Sequence, residues 1–564
     1  MDNQKIDNQL NLALDSTMQD RQKSLDLNVG YDSVTNIWEL IVRYNGSLER
    51  LQNENIKIIP LLNNYAIVRV PQELIQTIAE YDEIIYIEKP KRLNFTIRQG
   101  IRSSCISSLQ SDIFSGGGLF GEGVIVAIID SGIDYKHPAF INENGTTKIL
   151  EIWDQNVGDG SNVENYQIGT ILTERQINDA LQNNESLIPS TIDISGHGTA
   201  VASIASGVAP RAKLLVVKLG QPLPNTFPRT SELMMAVDYC VKKGQEMNMP
   251  IAINLSFGNN YGAHNGTSLL ETFIDIAAQT GRTTIVAGTG NEAASAIHTE
   301  IDLDEEPVIV ELRIGQYETA INVQLWKNYV DDFDINIVTP SGESTGNISN
   351  ALGANRYTLG NTYVLIYYGE PSPYSQSQEI YFDFIPRNTY IDEGIWRVEI
   401  TPKRIVDGKV NMWLPTAATL NSSAFLRPTP TLTVTIPATT ENVISVGAYN
   451  SFNDSYADFS GRGYEKNAMN NKPDIVAPGV NIRCASPGGG YVFRSGTSMA
   501  APFVTGAVAL LNEWGIVREN DRFLYGEKVK AYLKSGARQL PGENVTPNGR
   551  TGWGALCVAD SLPE

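Results

Sequence analysis

The stretch SGTSMAAPFVTGAVALL, residues 495–511, sets Ser498 among small residues immediately ahead of an apolar run. An unassisted serine hydroxyl is a weak nucleophile at neutral pH, so chemistry at Ser498 requires a base and a group that stabilises negative charge. Three other stretches could supply them. GVIVAIIDSGIDYKHP ends an apolar run in Asp130, followed by Ser131 and Gly132, and a carboxylate there can hold an imidazole in one tautomer. DISGHGTAVASIASG puts His197 between two glycines at the start of a small-residue helix, where substrate and nucleophile could both approach its ring. TTIVAGTGNEA carries Asn291 in a glycine-rich turn, and its side-chain NH2 could donate to a developing oxyanion, a contribution of about 2.7–4 kcal/mol where one such donor has been removed. The Ser498 backbone N–H, at the amino end of a helix with Pro502 expected in its first turn, would be a second donor. Taken singly, the Asp130 and Asn291 stretches are also what ordinary turns look like. The chain has four histidines, and His137, His264 and His298 lie in polar or loop-like surroundings and read as incidental.

These residues need elements to position them. GVIVAIID, KLLVVKLG, PIAINLSFG and TTIVAGTGN are short, nearly all-apolar runs alternating with helix-like stretches such as SELMMAVDYCVKKGQEM. Strands buried on both faces and alternating with helices mean a parallel α/β sheet, whose ligands gather at the carboxyl ends of the strands, where Asp130 and Asn291 fall. Before this region comes a polar opening, then strands at 37–44 and 56–70, a polar helix-like stretch GSLERLQNEN between them, a helix from Pro71 with Leu74, Ile75, Ile78 and Ala79 on one face, and a closing strand IIYIEKPKR. That is a compact α+β module. Residues 301–429 break the α/β rhythm with strand-like runs separated by turns, the pattern of an inserted all-β sandwich, and the α/β pattern resumes at ENVISVGAYN. The expected organisation is an α+β domain at 1–96, an α/β domain in two parts at 97–300 and 430–564, and a β-sandwich at 301–429.

The formal charge of −20 would repel phosphate backbones and anionic membrane surfaces, so nucleic acid is not an expected partner. Cys105, Cys240, Cys484 and Cys557 lie far apart without a C-x-x-C pair and read as buried free thiols. No run reaches the length of a membrane span, and the N-terminal residues lack the basic-then-apolar pattern of a secretory signal, so synthesis in the cytoplasm is expected.

The candidate residues occur in the order Asp, His, Asn, Ser, and Asp before His before Ser is the subtilisin order. DSGID, SGHGTAVASI, the GTGN turn and SGTSMAAP together resemble the signatures of subtilisin-like serine proteases, the subtilase family. The resemblance implies endopeptidase activity through an acyl-enzyme, with Asp130, His197 and Ser498 catalytic and Asn291 and the Ser498 N–H forming the oxyanion hole. It also implies that Leu255, Ser256, Phe257 and Gly258 pair with an extended substrate, and that Ala287, Gly288, Thr289 and Gly290 line the opposite side of the primary specificity pocket. No cofactor or metal is implied. The fold expected is a subtilisin-like parallel sheet with helices on both faces, plus an N-terminal α+β propeptide domain and an inserted jelly-roll-like sandwich. The module at 1–96 then resembles the family's propeptide, with autocleavage within Asn94, Phe95, Thr96, Ile97, Arg98 and Gln99, and the released propeptide staying bound as a partner.

The inserted sandwich, a propeptide without a signal sequence and the segment KILEIWDQN resemble, more finely, the Csp group of clostridial spore-germination proteases. That implies a protein substrate, a cortex-lytic proenzyme activated by limited cleavage, and a place in the spore. A general subtilase acting on peptides or host proteins, and a non-catalytic pseudoprotease acting as a signalling scaffold, are the alternatives. The proline-rich GQPLPNTFPRTS and the FSGRGY turn depart from the usual family pattern.

Overall fold

A computed structural model describes the chain except for residues 1–3, 25, 34, 52–54, 92–93, 96–103, 107–108, 111–117, 159–162, 164, 184–186, 188–192, 221–226, 349–351, 465–471 and 564. The chain divides into two compact units. One comprises residues 1–92, 259–269 and 294–432, and the other residues 93–258, 270–293 and 433–564.

The second unit carries the candidate site. Its nine-stranded sheet runs in the order Ser455–Tyr456, Ile444–Asn450, Thr283–Gly288, Ile251–Leu255, Ile125–Asp130, Lys213–Lys218, Ile149–Asp154, Thr170–Thr173, with Ile475–Pro478 also on Ile444–Asn450. The pairings are parallel except at the short strands Ser455–Tyr456 and Thr170–Thr173. Both faces are covered, which is why the strands read as unbroken apolar runs. Val126, Ile128, Leu214, Val216, Ala252, Val286, Val446 and Ala448 share one core with the helices His197–Val208 and Thr497–Asn512. The helix Thr230–Glu246 contacts the strands Ile125–Asp130 and Ile251–Leu255.

The two small-residue helices pack on each other closely. A Cβ placed on Gly506 would lie 2.5 Å from Cβ of Val208 and 3.1 Å from the Ala205 carbonyl oxygen. Glycine there lets the Ser498 helix approach the His197 helix. The segment Thr497–Val517 is, contrary to the sequence expectation, long and apolar enough to cross a membrane, but 83% of its apolar window is buried inside the protein. It is apolar all round because the sheet and a second helix cover it.

The cysteines also depart from expectation. Cys105 and Cys557 form a disulfide across 452 residues of sequence, while Cys240 and Cys484 are the buried free thiols. A pairing over that distance leaves no local spacing to read.

In the first unit, a five-stranded antiparallel sheet is built from Tyr31–Asp32, Ile37–Tyr44, Lys57–Pro60, Tyr65–Pro71 and Ile84–Glu88. The run at 56–70 is a hairpin rather than one strand, turned at Asn63 and Asn64, both with positive φ. Of the stretch GSLERLQNEN, Glu49–Leu51 form a single 3-10 turn and residues 52–54 lie outside the described residues. The polar opening holds two helices, Asn8–Asp15 and Met18–Lys23, the first capped by Asp7, whose carboxylate accepts from the Gln9 amide at 2.9 Å. Residues 298–425 form the all-β part, a six-stranded and a four-stranded antiparallel sheet around a common core. The α+β module has no separate core. Trp38, Leu40, Val68 and Ile87 are buried together with Leu365, Tyr367, Tyr381 and Ile385 of the six-stranded sheet.

Candidate active site

Three adjacent parallel strands deliver three site segments. The register pairs Leu255 with Ile129 on one side and with Ala287 on the other, so Asp130, Ser256 and Gly288 follow one another across the carboxyl edge of the sheet. Asp130 is fully buried, and its Oδ1 lies 2.7 Å from Nδ1 of the equally buried His197. The same oxygen accepts from the Ser131 amide at 2.7 Å. Nδ1 is engaged by the carboxylate, and Nε2 lies on the other side of the ring.

The approach of His197 to Asp130 depends on glycine. A Cβ on Gly198 would come within 2.2 Å of the Gly132 carbonyl oxygen and 3.1 Å of Asp130 Cβ. Gly196 caps the helix in a left-handed conformation at φ +68° and cannot supply a capping side chain. Asp193 does that work. Its carboxylate accepts from the Gly196 and Thr199 amides at 2.9 and 2.8 Å and from the Ser131 and Ser195 hydroxyls at 2.8 and 3.0 Å. The sequence reading missed Asp193; an Asp four residues before a helix-starting histidine was the available signal, and Ser195 shares the capping, its hydroxyl accepting from the His197 amide at 3.0 Å.

Ser498 is the second residue of the helix Thr497–Asn512. Its Oγ donates to the Ser256 carbonyl at 2.8 Å, and the Ser256 hydroxyl donates back to the Ser498 carbonyl at 3.0 Å. Pro502 is not in the first turn, as expected from sequence, but is the sixth residue of the helix. It lacks the N–H that would bond the carbonyl four residues back, which is that of Ser498. Ser256 supplies the missing donor. Asn254 steadies Ser256 through Nδ2 at 2.8 Å and is itself held by the Thr505 hydroxyl at 2.9 Å.

Asn291 is oriented by Thr497, whose amide donates to Oδ1 at 3.0 Å and whose hydroxyl donates to the same oxygen at 3.3 Å. The acceptor end of the carboxamide is thereby taken, and the NH2 end is turned away from the helix. The turn before it is braced from FSGRGY, where the Gly461 amide donates to the Gly290 carbonyl at 2.9 Å. Arg494, just ahead of the serine helix, donates to the Ser195 carbonyl at 3.2 Å and so ties the serine and histidine segments together.

The edge segment Phe257–Gly258 pairs antiparallel with Asn94–Phe95, Phe257 opposite Phe95 and Gly258 opposite Asn94. Thr96, Ile97, Arg98 and Gln99 lie outside the described residues, as do residues 221–226 of the proline-rich loop. Among the described residues no group of His, Cys, Asp and Glu side chains could hold a metal ion. The other three histidines have structural settings: His137 Nε2 lies 2.8 Å from the Gly490 carbonyl oxygen, and His264 and His298 stack on Trp413.

Comparison with known proteins places this arrangement. The family profile described as Csp protease B prodomain matches residues 4–91, and that of the Subtilase family matches residues 121–369 and 408–554. The solved structure of the Clostridium perfringens CspB protease is 35% identical with a TM-score of 0.75, over 81% of this chain and 95% of that one. Minor extracellular protease Vpr of Bacillus subtilis (strain 168) is 23% identical over 479 residues, 79% of this chain, which spans about half, 52%, of Vpr's length. Subtilisin E of the same organism is 40% identical over 135 residues, 23% of this chain and 32% of its own. With its signature stretches gathered at one edge of a parallel sheet and the subtilase profile covering more than half of its residues, the chain belongs to the subtilase family of subtilisin-like serine proteases.

Proposed function

We propose that this protein is a serine endopeptidase that cuts its own N-terminal module free and then activates a second protein by limited cleavage, the target being the cortex-lytic proenzyme of germinating spores. One observation carries the self-cleavage. The backbone at Asn94–Phe95 lies antiparallel on Phe257–Gly258, adjoining Ser256, whose carbonyl accepts from the Ser498 hydroxyl.

In this reading His197 Nε2 takes the proton of Ser498 Oγ as the oxygen attacks the scissile carbonyl, and Asp130 stabilises the imidazolium that forms. The carbonyl oxygen becomes an oxyanion and accepts from Asn291 Nδ2 and from the Ser498 N–H at the amino end of its helix. When the C–N bond breaks, His197 gives its proton to the leaving amine, and the acyl group stays on Ser498 until water attacks by the same route in reverse. Because the core of the module is shared with the sandwich, the cut module stays bound. Removing it would expose Leu365, Tyr367, Tyr381 and Ile385, at about 1.5–3 kcal/mol for each large apolar side chain uncovered.

The germination role, and with it a place in the spore, is supported by the Csp prodomain match and by the likeness to the CspB protease. A general degradative subtilase has the same site and another destination. A scaffold without activity is disfavoured by the Asp130–His197 contact, which such a protein has no chemical reason to keep. The test compares wild type with Ser498→Ala on a denaturing gel. Wild type is expected as a propeptide fragment and a larger mature fragment, labelled by a fluorophosphonate probe, and the variant as one unlabelled full-length chain. Identical full-length patterns without labelling would end the protease reading. Cleavage of the purified cortex-lytic precursor at one bond, with unrelated denatured protein left intact, separates processing from degradation.

A further inference from the structure

Buried charge is out of balance in one cavity of the first unit, bordered by the N-terminal module, the loop 262–269 and the sandwich. The module contributes Asp7 and Glu88 and the sandwich Glu379, carboxylates that are 6%, 4% and 6% exposed. Lys91 is the one ammonium among the described residues that line it. Asp7 accepts from the Gln9 amide at 2.9 Å and from the Lys89 amide at 2.8 Å. Lys91 Nζ lies 3.2 Å from Glu88 Oε1, and Glu88 Oε2 accepts from the Leu269 amide at 3.4 Å. Glu379 accepts from the Asn8 side-chain amide at 3.4 Å, a long bond for a buried carboxylate. Gln9 Oε1 and Gln324 Oε1 line the same cavity and have no hydrogen-bond partner among the described residues. A proton on Glu379 removes one uncompensated charge and adds an O–H donor where buried acceptors lack one.

We infer that this proton is a latch between the N-terminal module and the sandwich: the cut module is held while Glu379 is protonated and let go more readily once the proton leaves to solvent. Release of a cut module rests on the protease reading, whereas the latch itself is present in the uncut chain.

Burial raises the Glu379 carboxyl to about 7, with Lys91 drawing it down, Asp7 pushing it up, and the Asn8 and Gln9 side chains drawing it down. Burial is also the main cause that raises Glu88. It lowers Lys91, but Glu88, Asp7 and Glu379 outweigh it and hold that ammonium above its ordinary value. Around them Tyr86, Tyr374 and Tyr381 are raised chiefly by burial and stay neutral, Arg43 faces Tyr374, and Glu370 is half-buried. His264 of the loop stacks on Trp413. Once the module leaves, Glu379 meets water and returns to its ordinary 4.5. A group whose bound value lies above its free value gives its full grip below 4.5 and loses it as pH rises through about 7. Between pH 6 and pH 8 the loss is about tenfold in affinity, carried mainly by the rate of release. The cavity, about 50 Å³, has room for the water that takes the proton away.

The test holds the self-cleaved complex at pH 6, 7 and 8 in one urea concentration at which release takes hours, and follows by gel filtration the mature chain that has lost its module. Release should be about tenfold faster at pH 8 than at pH 6. Glu379→Gln keeps the uncharged form at every pH and should release slowly throughout, its rates at pH 6 and pH 8 agreeing within about twofold. Equal wild-type rates, faster release at pH 6, or a tenfold dependence that survives in Glu379→Gln would overturn the latch. Should the variant not fold, the wild-type series decides. A chain that neither labels with fluorophosphonate nor matures overturns the protease reading alone. Amide hydrogen exchange of Ile84–Glu88 in uncut Ser498→Ala, corrected for intrinsic rates, then reads the latch: opening should be about tenfold more frequent at pH 8 than at pH 6, and opening independent of pH would overturn it.

Discussion

The Ser256 hydroxyl donates at 3.0 Å to the carbonyl of Ser498, the one carbonyl that Pro502 leaves without its helical partner. The substrate-edge segment and the serine helix are thereby joined at the nucleophile itself, by a bond that exists because of a proline six residues into the helix. Ser256→Ala should lower stability by about 1–3 kcal/mol, since it leaves that carbonyl buried and unpaired. Pro502→Ala returns an N–H to the helix and should recover most of the loss in the double variant. Chemical denaturation of the four proteins, all carrying Ser498→Ala to prevent self-cleavage, measures the coupling. Strictly additive losses would rule the linkage out.

Asn291 is expected to act only once charge develops. With Thr497 holding Oδ1, the NH2 end is the part left to meet an oxyanion. Asn291→Ala should reduce kcat about 10²–10³-fold with little change in KM. A rise in KM at constant kcat would assign Asn291 to ground-state binding instead.

Two glycines of the paired helices should behave oppositely. Gly506→Ala forces a Cβ to within 2.5 Å of Val208 Cβ and should cost about 1–3 kcal/mol, with a loss of activity as the serine and histidine helices move apart. Gly207→Ala, where nothing lies within 4 Å, should be neutral or stabilising by up to about 1 kcal/mol through helix propensity. Melting temperatures and active-site titration of the two variants give the comparison directly.

Asp474 is a pH-dependent tie. Its carboxylate accepts from the Ser445 amide and hydroxyl at 2.8 and 2.9 Å and from the Lys472 and Lys534 ammonium groups at 3.0 and 2.7 Å, with Lys530 at 3.5 Å. Burial pushes this carboxyl up, but Lys472, Lys530 and Lys534 outweigh it and hold it well below the usual carboxylate range. Burial also pulls the Lys472 ammonium down to about 8. One carboxylate facing three ammonium groups is the more firmly charged partner, so Asp474 is taken as ionised. A folded pKa below the unfolded value near 3.8 contributes stability that is present above that value and is lost as pH falls through the folded pKa. Asp474→Asn should therefore cost about 3–5 kcal/mol at pH 7 by stranding buried ammonium groups. Denaturation across pH should show the gap between variant and wild type narrowing only below about pH 4. A gap independent of pH down to 2 would contradict it.

The reacting residues were legible because each sits in a short local pattern, an apolar strand ending in Asp130 or a glycine pair around His197. What supports them was not, because it is defined by contacts between distant segments. Asp193 reads as one more loop acid until it is seen to bond the Gly196 and Thr199 amides. Thr435 lies far along the chain from Gly258 and Gly290, which it separates. FSGRGY seemed a neutral departure, yet Gly461 braces the Gly290 turn. In the N-terminal module, strand patterning held for Ile37–Tyr44, while the helix Asn8–Asp15 was hidden by polar residues among Leu10, Leu12 and Ala13, which are buried against a sheet it does not adjoin in sequence.

The Cys105–Cys557 bond gives the chain a topology that linear reading conceals. Everything between the two cysteines, the sandwich included, is a closed covalent ring, and the N-terminal module hangs from it as a tail. The proposed cut within residues 94–99 would sever the tail's covalent link, leaving it held by non-covalent packing alone, and would leave the ring intact. The proposed maturation therefore changes what is attached to the protease without opening the loop that keeps its two ends together, and thermal unfolding of the mature form leads to an ensemble that the closed ring keeps poorer in entropy.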